Sequence, residues 1–132
     1  MTDTVRPLPA AFLDALQGQE EVLVSSREPG RTGTVPVWFA VGPPGVVYLF
    51  VESYSKKAVR WRRDPWVRLH VRGGPTVEGL ARVVEGEGLA AVAPLIVERW
   101  DMAGATTVEA LHRMVDGGGR VVMRVEAAAP PG

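Results

Sequence analysis

Ser55, Lys56 and Lys57 open the part of the chain where residue types and spacing could do chemistry. One hydroxyl and two ammonium groups at the start of a short helix can meet three phosphate oxygens together. A helix N-terminus adds unpaired N–H groups and a partial positive charge. Lys57 and Arg60 are three apart and share a helix face. The surroundings reinforce the sign: Lys56, Lys57, Arg60, Arg62, Arg63, Arg68 and Arg72 face a single acid, Asp64. The alternative that stays open is a solvated basic face holding no ligand, the commoner fate of a charge run.

Two other stretches invite a chemical reading. Thr34-Val-Pro-Val-Trp-Phe39 places a proline inside a strand-like run beside two aromatic rings. Such a proline marks an edge, a bulge or a place where a ligand takes the partner strand's position. The competing reading puts Val35, Val37 and Phe39 in the core and Trp38 at a subunit contact. Arg60-Trp-Arg-Arg63 with Trp66 and Arg68 interleaves aromatic and basic residues, as single-strand nucleic-acid surfaces do. Against this, fifteen Lys and Arg balance fifteen Asp and Glu, so no nucleic-acid partner is expected. Trp61 and Trp66 read equally well as core or interface anchors.

No catalytic side-chain set emerges. His70 shares a strand face with Arg68 and Arg72, and His112 lacks a spaced Ser or carboxylate that would suggest a triad. With no cysteine, thiolate catalysis, disulfides and Cys-ligated metals are excluded, and the two histidines have no metal-ligand spacing. No catalytic residue and no metal ligand is therefore assigned. An enzyme built on this chain would take its chemistry from an organic cofactor.

These residues need elements to position them. Leu8–Leu16 reads as a short helix stopped by Gly18, and Glu21–Ser26 as a strand. Glu28-Pro-Gly-Arg31 is turn chemistry, and 32–41 is a second strand. Gly42-Pro-Pro-Gly45 turns the chain into a third, buried strand, Val46–Val51. Ser55–Arg63 forms a helix ended by Asp64-Pro65. Trp66–Arg72 alternates as a half-buried fourth strand, and Thr76–Glu85 is a fifth with a glycine at its centre. Leu89–Met102 is expected as a helix settling after Pro94, with Leu95, Ile96, Val97 and Trp100 buried. Thr107–Val115 is a second late helix, and Arg120–Glu126 a sixth strand before a tail frayed from about residue 127.

Six short strands without regular βαβ alternation point to a mainly β fold with inserted helices, closed as a small antiparallel barrel. The 132 residues fit one domain, 46% apolar and 23% charged, the make-up of an ordinary globular protein. Charge is nonetheless uneven: from Glu78 to Asp116 seven acids face three bases, so positive potential concentrates around Lys56–Arg72. No apolar run approaches the ~18 residues of a membrane helix, so no membrane partner is expected. The first residues lack an apolar signal core, so a cytoplasmic location is expected.

The order of motifs is itself informative. VLVSS, GRTGTVPVWF, GVVYLFVESYSKKAVRWRRDPWVRLHV and VEGLARVVEG follow one another between residues 22 and 86. That succession resembles the flavin-binding split-barrel proteins, the pyridoxamine 5'-phosphate oxidase-like superfamily that includes deazaflavin-dependent reductases. The likeness covers about residues 20 to 100 and the closing strand. It implies a six-stranded antiparallel split β-barrel, a homodimer with FMN in a groove at the subunit interface, and a small-molecule substrate for the oxidoreductase. The deazaflavin coenzyme is the alternative cofactor, and a non-catalytic cofactor-binding or carrier protein the alternative role. By the resemblance, Ser55 and Lys57 take the phosphate, with Lys56 in a position often held by Arg. Val37, Trp38 and Phe39 lie along the ring, and 52–54, with Ser53, turn over the ribityl chain. Arg27 and Arg31 are looser candidates for a phosphate or substrate anion. The oxidase's C-terminal substrate-binding Arg and His have no match, and the helical insertion 89–115 departs from its pattern, so the resemblance does not extend to pyridoxamine phosphate oxidation.

Overall fold

The computed structural model describes residues 6–26, 33–43, 45–52, 55–99 and 107–128. In chain order the elements are α1 (Ala10–Leu16), β1 (Glu21–Ser26), β2 (Gly33–Gly42), β3 (Val46–Glu52), α2 (Lys56–Arg63), β4 (Trp66–His70), β5 (Thr76–Val83), α3 (Gly86–Arg99), α4 (Val108–Asp116) and β6 (Arg120–Ala127). The strands close into an antiparallel barrel in the order β1-β2-β3-β6-β5-β4, with β4 returning to β1. The fold class expected from the motifs is the one observed.

Strand alternation divides the apolar residues between two cores. The inner set, including Val22, Val24, Val37, Phe39, Leu49, Val67, Leu69, Met123 and Val125, fills the barrel. Its ends are closed by helices. Phe12 and Leu16 of α1 join the core near the β2–β3 turn, where the Leu8 N–H donates to the Gly45 carbonyl. Ala58 and Trp61 of α2 join it at the opposite end, where Ser26 finishes β1. The outer set packs α3 and α4, through Leu89, Val92, Ala93, Ile96 and Leu111, over Ala40 and Val122. This explains why β3 is buried on both faces, with only Glu52 exposed along it.

Gly79 shows how tightly β5 and β6 are apposed. A Cβ there would lie 2.7 Å from Val125 Cγ1 and 2.8 Å from the Glu126 carbonyl oxygen, so the mid-strand glycine is a packing requirement.

Several expectations are corrected. The α3 helix begins at Gly86 and ends at Arg99, with Pro94 inside it, whereas the sequence suggested a start at Leu89 and a helix settling only after Pro94. Ala90 and Pro94 both face solvent, so the carbonyl that Pro94 cannot serve is hydrated while the opposite face keeps its packing. Leu95 and Val97 are only partly buried, and Trp100 lies outside the described residues. The ordered chain also passes the expected point of fraying: Ala127 N–H donates to the Arg6 carbonyl and Ala128 N–H to the Glu78 carbonyl.

Trp61 is 1% exposed, so it is a core residue and cannot contribute to a subunit contact or stack on a base. Its indole Nε1–H donates to Ser26 Oγ at 3.1 Å, a buried bond joining α2 to β1. Ser26→Ala leaves that N–H unsatisfied and is expected to lower stability by ~1–3 kcal/mol, the usual cost of a buried donor without an acceptor. Urea unfolding measures it, and an unchanged midpoint would show that the bond carries no weight.

Candidate cofactor groove

The barrel is split where β2 and β3 part. Their pairing runs from Gly42↔Val46 to Phe39↔Leu49 and stops. Beyond it β2 remains paired with β1 through Pro36, Val35 and Thr34, while β3 continues alongside β6 to Glu52↔Arg120. Pro36 therefore stands on a stretch of β2 with no β3 beside it, the edge position that a strand proline tolerates.

A groove of about 330 Å³ occupies this gap. Trp38 and Pro36 form one wall, Phe50 and Glu52 the other, and Lys57 and Arg120 supply cations. Val37, Val51 and Glu21 complete the lining. Trp38 is 40% exposed, so its indole forms part of the groove's surface. The Arg120 guanidinium lies over the Phe50 ring, its Cζ 5.5 Å from the centroid.

Lys57 reaches the groove because α2 is fixed at two points. Four residues on, Trp61 is anchored to Ser26; one residue on, Ala58 is fully buried. Helical spacing then projects Lys57 beside the Trp61 face. At the helix start, Ser55 Oγ donates to the Glu52 carbonyl at 2.7 Å and accepts from the Ala58 N–H at 3.3 Å. Val59 N–H donates to the Ser55 carbonyl at 3.1 Å. The N–H groups of Lys56 and Lys57 thus have no acceptor within the helix, the normal condition of a first turn.

The expected site residues are sorted by this geometry. Val37, Trp38 and Lys57 line the groove. Ser55 caps α2 and orients Lys57 instead of lining the groove itself. Phe39 points into the barrel core and lines a different crevice, with Leu13, Leu16 and Arg99. Lys56 belongs to α2 by its backbone, and its side chain lies outside what is described. Ser53, Arg27 and Arg31 also lie outside the described residues. Arg120 and Phe50 were missed: about 60 residues of chain separate Arg120 from Lys57, and only the β3–β6 pairing brings it to the groove. The charge run around Lys57 gave no hint of it.

Arg99 holds the structure just behind the groove. Its Nε donates to the Phe39 carbonyl at 2.6 Å, its Nη2 to the Gln19 carbonyl at 2.7 Å, and its Cζ lies 4.7 Å from the Phe39 ring centroid. The two acceptors sit where β1 has not yet begun, so an α3 side chain replaces a missing strand. Arg99→Met should cost ~1–2 kcal/mol, below the usual range for charged hydrogen bonds because the residue is exposed. Faster amide exchange at Val41 and Gly42 would accompany the loss, whereas exchange unchanged from the wild type would remove the assignment.

Among the described residues no group of His, Asp or Glu is arranged to hold a metal ion, and no helix is long and apolar enough to cross a membrane.

No protein-family model matches the chain, and no curated protein sequence matches it. Solved structures do. A conserved hypothetical protein of Mycobacterium tuberculosis, Rv2991, superposes with a TM-score of 0.62 at 26% identity, over 98% of this chain and 86% of the other. An F420 reductase superposes with a TM-score of 0.61 at 22% identity, covering 92% of this chain and 97% of the other. An FAD-binding protein from Mesorhizobium loti gives a TM-score of 0.61 at 19% identity, covering 96% and 93%. What these likenesses share with the chain is the fold, a six-stranded antiparallel split β-barrel with inserted helices.

Proposed function

We propose that the groove between β2 and β3 holds a flavin-type redox cofactor and that the protein is an oxidoreductase acting on a small molecule. The observation that carries this reading is the parting of β2 from β3 with Trp38 on one side and Lys57 at the foot of the gap. An exposed indole and a strand edge suit a planar ring, while an ammonium beside two N–H groups with no acceptor within the helix suits a phosphate. The fit is local, because Glu21 and Glu52 offset Lys57 and Arg120 along the whole groove. An anion is favoured at the Lys57 end, where the N–H groups of Lys56 and Lys57 add to the ammonium.

When bound, such a cofactor supplies hydride chemistry; the chain supplies the anion contact, the ring wall and orientation. FMN is the first choice, since one compact cationic end matches one terminal phosphate. The deazaflavin coenzyme is the second reading, favoured by Arg120: a second cation in the same groove suits a longer anionic tail. A groove of about 330 Å³ is at the low end for ligand sites. A second copy of the chain, forming a homodimer, would supply the missing wall over Trp38.

The deciding experiment is titration of the purified protein with FMN and with the deazaflavin coenzyme, followed by quenching of Trp38 fluorescence. One of the two should bind saturably, and Lys57→Ala should weaken it by ~1.5–3 kcal/mol, the scale of a charge-assisted hydrogen bond. Saturable binding that Lys57→Ala leaves unchanged removes Lys57 from the site. Binding of neither cofactor removes the reading. Native mass spectrometry of the loaded protein should give the mass of two chains.

A further inference from the structure

We infer that a second pocket, across Arg120 from the groove, binds a small organic anion with an apolar body, and that it is the substrate subsite of the proposed oxidoreductase. The substrate role rests on the cofactor reading; the binding site does not. The pocket encloses about 450 Å³, within the range of small-molecule sites. It is formed where α2 ends, β5 leaves the sheet and β6 begins beneath the last turn of α4. Val83, Val84, Val115 and Val121 give it an apolar lining, and Arg62, Glu85 and Arg120 give it polar groups.

Two of the backbone N–H groups around it are already paired. Val84 N–H donates to the Val122 carbonyl at 2.8 Å and Gly118 N–H to the Val115 carbonyl at 3.0 Å. Charged side chains supply the selection. Arg62 already makes an interaction of its own within the fold. Arg120 differs: its guanidinium rests over Phe50 with no carboxylate within 4.0 Å among the described residues, and it lines both the groove and this pocket. A guanidinium pairs with a planar carboxylate through two parallel N–H bonds. The valines then contact the hydrocarbon part, and Glu85 disfavours a ligand carrying a second negative charge. An anion held by Arg120 lies next to whatever occupies the groove, the adjacency a substrate needs to a bound cofactor.

The test uses butanoate, hexanoate and octanoate as probes, with hexanol as the uncharged control, on the cofactor-free protein. Methyl resonances of Val83, Val84, Val115 and Val121 are followed by NMR. Saturable shifts at these valines, affinity rising about fourfold per added methylene as the free energy of burying one CH₂ requires, and hexanol at least tenfold weaker than hexanoate support the site. Arg120→Met should weaken hexanoate at least tenfold. Val115→Trp, which fills the pocket, should abolish binding in a protein whose melting stays cooperative. No saturable shift, shifts elsewhere in the molecule, or affinity independent of chain length overturns the inference from the wild type alone. Cofactor binding without hexanoate binding overturns this site and leaves the proposed function standing. Hexanoate binding without cofactor binding keeps the site and overturns its role as a substrate subsite.

Discussion

The structure depends on a single incomplete ladder. Six short strands close a barrel, and a complete closure would leave no backbone edge for a ligand. Here β2 and β3 pair only as far as Phe39↔Leu49, and the remainder of each strand turns to a different neighbour, β1 or β6. The opening carries an exposed edge that an ordinary barrel would bury. Pro36 is suited to it because a proline has no N–H to leave unpaired there. The groove, the exposure of Trp38 and the proximity of Arg120 to Lys57 all follow from that divergence.

Helices then fix what the divergence exposes. The Trp61 indole, bonded to Ser26, seats α2 across the barrel end and so sets where Lys57 projects. On the other side of the sheet, α3 and α4 cover Ala40 and Val122, and Arg99 reaches back to the Phe39 and Gln19 carbonyls. The long insertion that departs from the oxidase pattern thus has a structural task. It buries the outer face of β3 and braces β2 beside the groove.

Local chemistry was read correctly wherever it was decided within a few residues. The helix expected from Ser55 ends at Asp64, a helix follows Thr107, and the alternation of Trp66–His70 gives the half-buried β4. Pro94 misled because helix rules weigh a missing hydrogen bond without knowing that its carbonyl faces water. Trp61 reads from the sequence as a core or an interface anchor within a run of arginines; a one-residue step on a helix turns a side chain by about 100°, and the fold places it in the core. Of the two readings open for Phe39, ring contact beside Trp38 or core residue, the fold takes the second, because neighbours on a strand face opposite sides.

The sequence by itself determined the strand and helix inventory, the absence of thiol chemistry and the position of Lys57 at the start of a capped helix, since each depends on residue type and near neighbours. Only the tertiary structure decided which cations share a site. Arg62 and Arg63 follow Lys57 closely in sequence yet do not line the groove, whereas Arg120, remote in the chain, does. The physical reason is that β6 enters beside β3 only when the barrel closes. That pairing, and the parting of β2 from β3, are long-range choices that no short stretch of residues encodes.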